Sequence, residues 1–201
     1  TTVSVAFAGN ATANHGGNVI VVDNSFSDTN ETHKTSIQDA VDAANTDDTI
    51  EVRSGTYDES VTINVEGLTL KGPNAGIDGD SSERGSEASF AIAGDIGVDN
   101  TTIDGFKITG TANFSEIQGS DTEIANSDIT VPDGSAVFRL QAGANNTVFT
   151  QNRFAGGAGG NFVLNARQDF SQLIDGVEIT DNTFEDITGT AGSGTSAIQT
   201  A

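Results

Sequence analysis

Three arginines, Arg139, Arg153 and Arg167, stand fourteen residues apart. A chain that cleaves polyanionic sugars by elimination could use such a group as base or clamp, beside acids that hold calcium. In an acidic chain the competing reading is pairing with surface carboxylates, which adds little stability. A second cluster, GIDGDSSERGSE (76–87), places Asp78, Asp80, Glu83 and Glu87 in a Gly-bearing loop. Oxygen ligands at alternate positions suit Ca²⁺, but the loop lacks the full spacing of an EF-hand, and a solvated acidic loop accounts for the same residues. His15 and His33 are the two side chains for acid–base work near neutral pH, and both lie in polar stretches where an exposed loop histidine is the plainer reading. The string AGGAGGN (155–161) lacks the Lys-Ser/Thr of a phosphate-cradling loop and reads as a connection. Asn-x-Ser/Thr sequons begin at Asn10, Asn30, Asn100, Asn113 and Asn145. An exported chain could carry glycans there, although a sequence rich in Asn and Thr also generates sequons by chance.

Composition narrows the setting for such chemistry. The 201 residues carry a formal charge of −21, from 29 acidic against 8 basic side chains. That balance argues against a nucleic-acid partner, because phosphate contacts need Lys and Arg. It fits a folded protein of a high-salt environment, where screening weakens self-repulsion and a carboxylate surface stays hydrated. No cysteine is present, so there is no disulfide framework or thiolate metal site. No stretch has the length of a transmembrane helix. In the opening TTVSVAFAGNATA, Val3, Val5 and Phe7 alternate as a strand with one apolar face, while AFAGNATA also resembles the small-residue end of an export signal.

The elements that must position these groups are short. SIQDAVDAAN (36–45) is the one helical pattern, with Ile37, Ala40, Val41 and Ala44 on one face, Ser36 as N-cap and Asn45 as terminator. A helix of this length must dock on something to persist. DTIEVRSGTYDESVTI then reads as strand, Gly-centred turn, strand. From residue 65 an imperfect repeat begins: LTLKGPNA (68–75), TTIDGFKI (101–108), TEIANSDI (122–129), TVFTQNRF (147–154) and VEITDNTF (177–184). The third positions are Leu70, Ile103, Ile124, Phe149 and Ile179, and the eighth are Ala75, Ile108, Ile129, Phe154 and Phe184. A second string recurs between the copies: SEIQG (115–119), AVFRLQAG (136–143), NFVLNARQ (161–168) and SAIQTA (196–201). Each coil would hold about three short strands. Asn126, Asn152 and Asn182 follow strands, where Asn tolerates left-handed geometry and can stack on its equivalents. The spacing predicts an all-β solenoid, a parallel β-helix with one short N-terminal capping helix, spanning residues 35–201 behind an N-terminal strand and extension of residues 1–34.

TSIQDAVDAANTDDTIEVRSGTYDESVTINVEGLTLKGPN, with Gly55, Thr56, Tyr57 and Glu59 at its turn, resembles the N-terminal coil of the pectin-lyase-like right-handed parallel β-helix superfamily. The later repeats resemble NosD-type β-helices of archaeal surface proteins. The resemblance implies a right-handed solenoid and admits polysaccharide lyases, polygalacturonases and pectin methylesterases. Their catalytic strings are not matched: RQDF (167–170) offers only Asp169, with Arg167 beside it, and no Gly-His-Gly or Arg-Ile-Lys string occurs. The expectation is therefore a secreted, non-catalytic structural or adhesive protein of a halophile at the cell surface. It would self-associate head to tail through the strand of Val3, Val5 and Phe7 and an open C-terminal coil. The alternative is a carbohydrate-binding or carbohydrate-active β-helix that contacts surface glycans. No cofactor is expected; Ca²⁺ at Asp78 and Asp80 is the one metal considered.

Overall fold

The computed structural model describes residues 17–92, 94–111, 115–133, 137–157 and 174–187, together with the backbone of residues 164–166 and 198–200. It is built of strands in parallel sheets with one helix. The chain opens with β1 (Val19–Val22), β2 (His33–Lys34) and α1 (Ile37–Ala43). There follow β3 (Thr49–Val52) and β4 (Gly55–Ser60), then β5 (Thr69–Lys71) and β6 (Ala88–Ile92). From there the strands come in threes. The first set is β7 (Thr102–Asp104), β8 (Lys107–Gly110) and β9 (Ser115–Ile117). The second is β10 (Glu123–Ala125), β11 (Asp128–Thr130) and β12 (Phe138–Leu140). The third is β13 (Val148–Thr150), β14 (Arg153–Ala155) and β15 (Leu164–Ala166). The last is β16 (Glu178–Thr180), β17 (Thr183–Glu185) and β18 (Ile198–Thr200).

From β7 onward the chain deals its strands to three sheets in rotation. The first has the order β16-β13-β10-β7-β5-β3-β1-β2, the second β17-β14-β11-β8-β6-β4 and the third β18-β15-β12-β9. Parallel bridges from Ile63 to Ile96 and from Ile96 to Ile117 extend the third sheet back to the early rungs. Three-residue strands leave room for one inward side chain between two outward ones, so one apolar column runs the length of each sheet. In the first sheet that column is Ile20, Ile50, Leu70, Ile103, Ile124, Phe149 and Ile179, matched rung to rung. The expected third-position series is this column. In the second sheet the column is Phe90, Ile108, Ile129, Phe154 and Phe184. Here the expected eighth-position series departs in one place: Ala75 lies in a turn, and Phe90 fills its place. The insertion of residues 73–87 between β5 and β6 moves the inward position fifteen residues on (90 against 75). The recurring SEIQG, AVFRLQAG, NFVLNARQ and SAIQTA strings supply β9, β12, β15 and β18 in register.

Two kinds of corner hold the register. Ahead of the first sheet, Asp47, Gly67, Asn100, Asp121, Asn146 and Gly176 each adopt positive φ, two residues before a strand. Each N–H from Asp47 to Asn146 donates to a carbonyl of the following rung, for example Asn100 to Ser120 O at 3.0 Å. Asn, Asp and Gly occupy this corner because other side chains strain there. Between the first and second sheets the left-handed residues are Gly105, Asn126, Gln151 and Asp181. Of the three asparagines expected to be left-handed, only Asn126 is. Asn152 and Asn182 sit one position later and stack instead: Ser127 N–H donates to Asn152 Oδ1 at 3.0 Å, and Asn152 N–H to Asn182 Oδ1 at 2.9 Å. Their amides donate back to Ile124 O and Phe149 O at 2.7 and 2.8 Å. Asn152 is buried and bonded through both its amide oxygen and its amide nitrogen, as burial demands.

The strand β1 pairs β3 and the short β2, so part of the segment ahead of the helix extends the first sheet. The helix α1 packs against β1, β2, β3 and β4. Ile37, Ala40 and Val41 are fully buried there, and Ala44 is half-buried just past the helix end. The helix stops one residue earlier than Asn45 implies: Ala44 is the cap, its N–H donating to Val41 O at 3.2 Å. Asn45 N–H turns to Asp48 Oδ2 at 2.8 Å instead.

Candidate functional site

The end beneath α1 is tied by side-chain hydrogen bonds. Ser36 Oγ accepts from Asp39 N–H at 3.2 Å, as its N-cap role requires. Glu59 of β4 reaches the same terminus and accepts from Ser36 Oγ, Ile37 N–H and Gln38 N–H at 2.6, 2.7 and 3.0 Å. A carboxylate against exposed N–H groups is favoured there by the helix dipole. This is the role of the acid in the GTYDES motif. Gln38 continues the seal by offering its amide as a strand would, with Oε1 accepting from Thr62 N–H at 2.8 Å and Nε2 donating to Thr62 O at 3.3 Å. Tyr57 is buried and donates its hydroxyl to Arg53 O at 2.9 Å; burial pushes its phenol above the ordinary tyrosine range.

The acidic loop read as a candidate calcium site is a strap. Residues 73–87 run across the corners between the first and second sheets, and Arg84 pins them. Its guanidinium donates to Glu87 through Nε and Nη2 at 2.8 and 3.0 Å. It also donates to Asn126 O, Ile77 O and Phe106 O at 2.6, 3.0 and 3.1 Å. Asn74 holds the loop from below, accepting from Gly85 N–H at 2.7 Å and donating to Glu87 at 2.9 Å. Gly79 N–H donates to Gln151 O at 2.8 Å, in a gap where a Cβ would strike the Ser127 carbonyl and the Arg153 nitrogen. Asp80 accepts from Thr183 Oγ1 at 2.6 Å, a contact 103 residues away in sequence. No group of three acidic or histidine side chains able to hold a metal occurs among the described residues.

The remaining candidates disperse. Arg153 bridges Asp128 at 2.7 Å and Glu185 at 2.9 Å, and its bond to Asp128 holds it even more firmly protonated. Arg139 lies 3.7 Å from Glu116. Both arginines therefore follow the pairing reading. His33 is exposed, edge-on to Phe26 at 5.2 Å, with its Nδ1 3.3 Å from Asn30 Oδ1. Asn30 and Asn100 are exposed and Asn145 is half-buried. Asp169, Arg167, His15, Asn10, Asn113 and the strand residues Val3, Val5 and Phe7 lie outside the described residues.

Two exposed features stand out among the described residues. The first is a groove of about 590 Å³ on the outer face of the first sheet, lined by Asp23, Asn24, Glu51, Arg53, Lys71 and Pro73 among others. Asp23 is committed to its own turn, accepting from Ser25 Oγ and N–H at 2.6 and 2.9 Å, which holds its carboxyl below the usual range. Arg53 stands 3.7 Å from it and is largely exposed. Lys71 follows Glu51 in the ladder, yet its ammonium makes no ion pair or hydrogen bond among the described residues. The sequence gives no local sign of this groove, because its residues meet only once the register is known. The second surface is the last rung. Ile179 and Phe184 are partly exposed, whereas Phe149 and Phe154 in the rung before are fully buried. Strands β16, β17 and β18 each lie at the margin of their sheet. The outermost pair of rings, Phe154 and Phe184, is stacked at 5.0 Å, so the apolar columns run to the margin.

No family model matches the chain, and no curated protein or solved structure shows significant similarity to it.

Proposed function

We propose that the chain is a right-handed parallel β-helix of the pectin-lyase-like kind, serving as a non-catalytic structural or adhesive subunit at the surface of a halophilic cell. The observation that carries this reading is the contrast between the two ends of the sheets. One is covered by α1, Glu59 and Gln38; the other presents the half-exposed Ile179 and Phe184 on strands with no further neighbour among the described residues. Parallel edges with an apolar column recruit another strand readily. The alternating segment of Val3, Val5 and Phe7 has the pattern of such a strand, and its donor role would join copies head to tail. The −21 charge supports the high-salt surface, where a screened acidic exterior remains hydrated while apolar edges associate.

The test is sedimentation of the full chain at high salt beside a variant lacking residues 1–8. Oligomers that disappear with the deletion support donor-strand assembly. Oligomers that persist unchanged, or a full chain that stays monomeric at every concentration, refute it.

A second reading is favoured by the groove at Arg53 and Lys71, whose mixed charges and free ammonium suit a carbohydrate ligand. A glycan array with Lys71→Ala as control separates the two: saturable binding lost in the variant would make the groove the functional site.

A further inference from the structure

Three sequons lie within the described residues, and their geometry differs. At Asn145 the sequon is built into a corner. Asn145 Oδ1 accepts from Asp175 N–H at 2.9 Å, and the hydroxyl of Thr147 is buried, donating to Ala144 O at 2.9 Å. At Asn100 the asparagine occupies the left-handed corner, with φ of 59°, and Thr102 continues into β7 without bonding back to it. At Asn30 the sequon is a closed Asx turn on an exposed loop. Asn30 Oδ1 accepts from Thr32 N–H at 2.9 Å, from Thr32 Oγ1 at 3.1 Å and from His33 N–H at 3.0 Å. Two backbone donors on one atom fix which end of the amide is the oxygen. Nδ2 must then face solvent, and it has no partner among the described residues.

We infer that Asn30 is a site of N-glycosylation, modified on the folded protein in preference to Asn100 and Asn145. The co-reactant is a lipid-linked oligosaccharide phosphate presented by a transferase. Asn30 Nδ2 attacks the anomeric carbon, forming the N–C1 bond. The C1–O bond to the carrier phosphate breaks, and the carrier leaves with its electron pair. The amide gives up one proton to the base of the transferase. The turn contributes twice: it presents a nucleophile that no hydrogen bond has to release, and it holds the Thr32 hydroxyl beside it for recognition. At Asn145 the asparagine is half-buried and the Thr147 hydroxyl fully buried, so a transferase would first have to open the corner, whereas Asn30 and Thr32 are both exposed. The inference rests on the exported-protein reading for its biological occasion, but the geometry stands without it. A glycan here would stand next to His33, at the start of the outermost strand of the first sheet, and would shield that edge while leaving the opposite margin free.

The experiment uses the purified, folded, unmodified full chain with an oligosaccharyltransferase and a lipid-linked oligosaccharide, read by glycopeptide mass spectrometry. Asn30 should be modified more than about tenfold faster than Asn145, a ratio that an opening cost of about 1.4 kcal/mol at the buried corner already supplies. Asn30→Gln should abolish the first mass shift. Thr32→Val should abolish it too, with an unchanged circular dichroism spectrum. Modification at Asn145 as fast as at Asn30, or an unmodified Asn30 in a folded chain whose denatured form is modified, overturns the inference. Localisation is measured separately, by fractionating the cells that make the protein. A chain found only inside them removes the surface role and leaves the acceptor geometry to the first assay.

Discussion

Arg84 offers the sharpest test of how the strap is held, through its replacement by alanine. The side chain is 8% exposed, and its guanidinium makes a two-point contact with Glu87 plus bonds to carbonyls of residues 77, 106 and 126. Breaking a fully buried ion pair destabilises by about 3–5 kcal/mol, because the partner charge is stranded. Two features reduce this. Glu87 is 26% exposed and keeps its bond from Asn74, and Phe106 O retains a bond from Asp128 N–H. Loss of charge-assisted bonds to the other carbonyls acts in the opposite direction. The expected destabilisation is about 2–4 kcal/mol, a fall in melting temperature of roughly 5–15 °C for a chain of this size. The assay is thermal unfolding followed by circular dichroism at fixed high salt, with hydrogen exchange at the Gly79 and Gly85 amides to localise the effect. Arg84→Lys should recover little, since an ammonium cannot reach both Glu87 oxygens and the carbonyl fan. Combining Arg84→Ala with Glu87→Gln should recover roughly half of the loss, because the stranded charge is gone. A melting temperature within about 2 °C of the parent for Arg84→Ala would show that the strap is ornamental to stability. Full rescue by Arg84→Lys would show that charge alone matters, and the geometric argument would fall.

Other perturbations probe the corners and the sealed end. Asn152→Ala strands the Ser127 N–H and the Ile124 carbonyl inside the stack, and should destabilise by about 2–4 kcal/mol in denaturant unfolding; a change under about 0.5 kcal/mol would discount the asparagine stack. Glu59→Ala removes three bonds at the start of α1 and should destabilise by about 1–2 kcal/mol, with faster amide exchange at Ile37 and Gln38 and none of that acceleration at Asn152. The single tyrosine makes the pH behaviour of the N-terminal end directly readable by near-ultraviolet absorbance. Burial raises the folded-state phenol of Tyr57, so its contribution to stability is fully present below the unfolded value of about 10 and is lost as pH rises through the folded one. A midpoint at or below about 10 in the folded protein would contradict that burial.

The parts of this fold that could be read from the chain are those set by neighbours in sequence. A residue flanked by outward partners in a three-residue strand announces its own direction, so Leu70, Ile103, Ile124, Phe149 and Ile179 align from pattern alone. Ser36 is visible as a helix start for the same local reason. The reading slips where an insertion intervenes, as at Ala75, whose place Phe90 takes. It also slips where a dihedral and a hydrogen bond can exchange positions, as when Gln151 and Asp181 take the left-handed corner and free Asn152 and Asn182 to stack. Glu59 was visible as part of a motif, but its reach to a helix more than twenty residues earlier was not. Arg84 gave no signal, since its acceptors belong to rungs that only stacking brings near. The groove around Arg53 and Lys71 was hidden in the same way: alternation says which residues face outward, not which outward residues become neighbours.

The strap has a mechanical consequence. A tensile load along the stacking direction would ordinarily pass through one rung after another, and parallel strands would peel from the margin as a zipper opens. Gly79 bonded to Gln151 and Asp80 bonded to Thr183 place a second tether beside that series, anchored by Arg84 near β7 and β10. Peeling β17 then requires breaking the tether as well as its ladder, so several rungs share the force. In the head-to-tail assembly proposed above, the marginal rung would carry the load between copies, and it is the one the strap reaches.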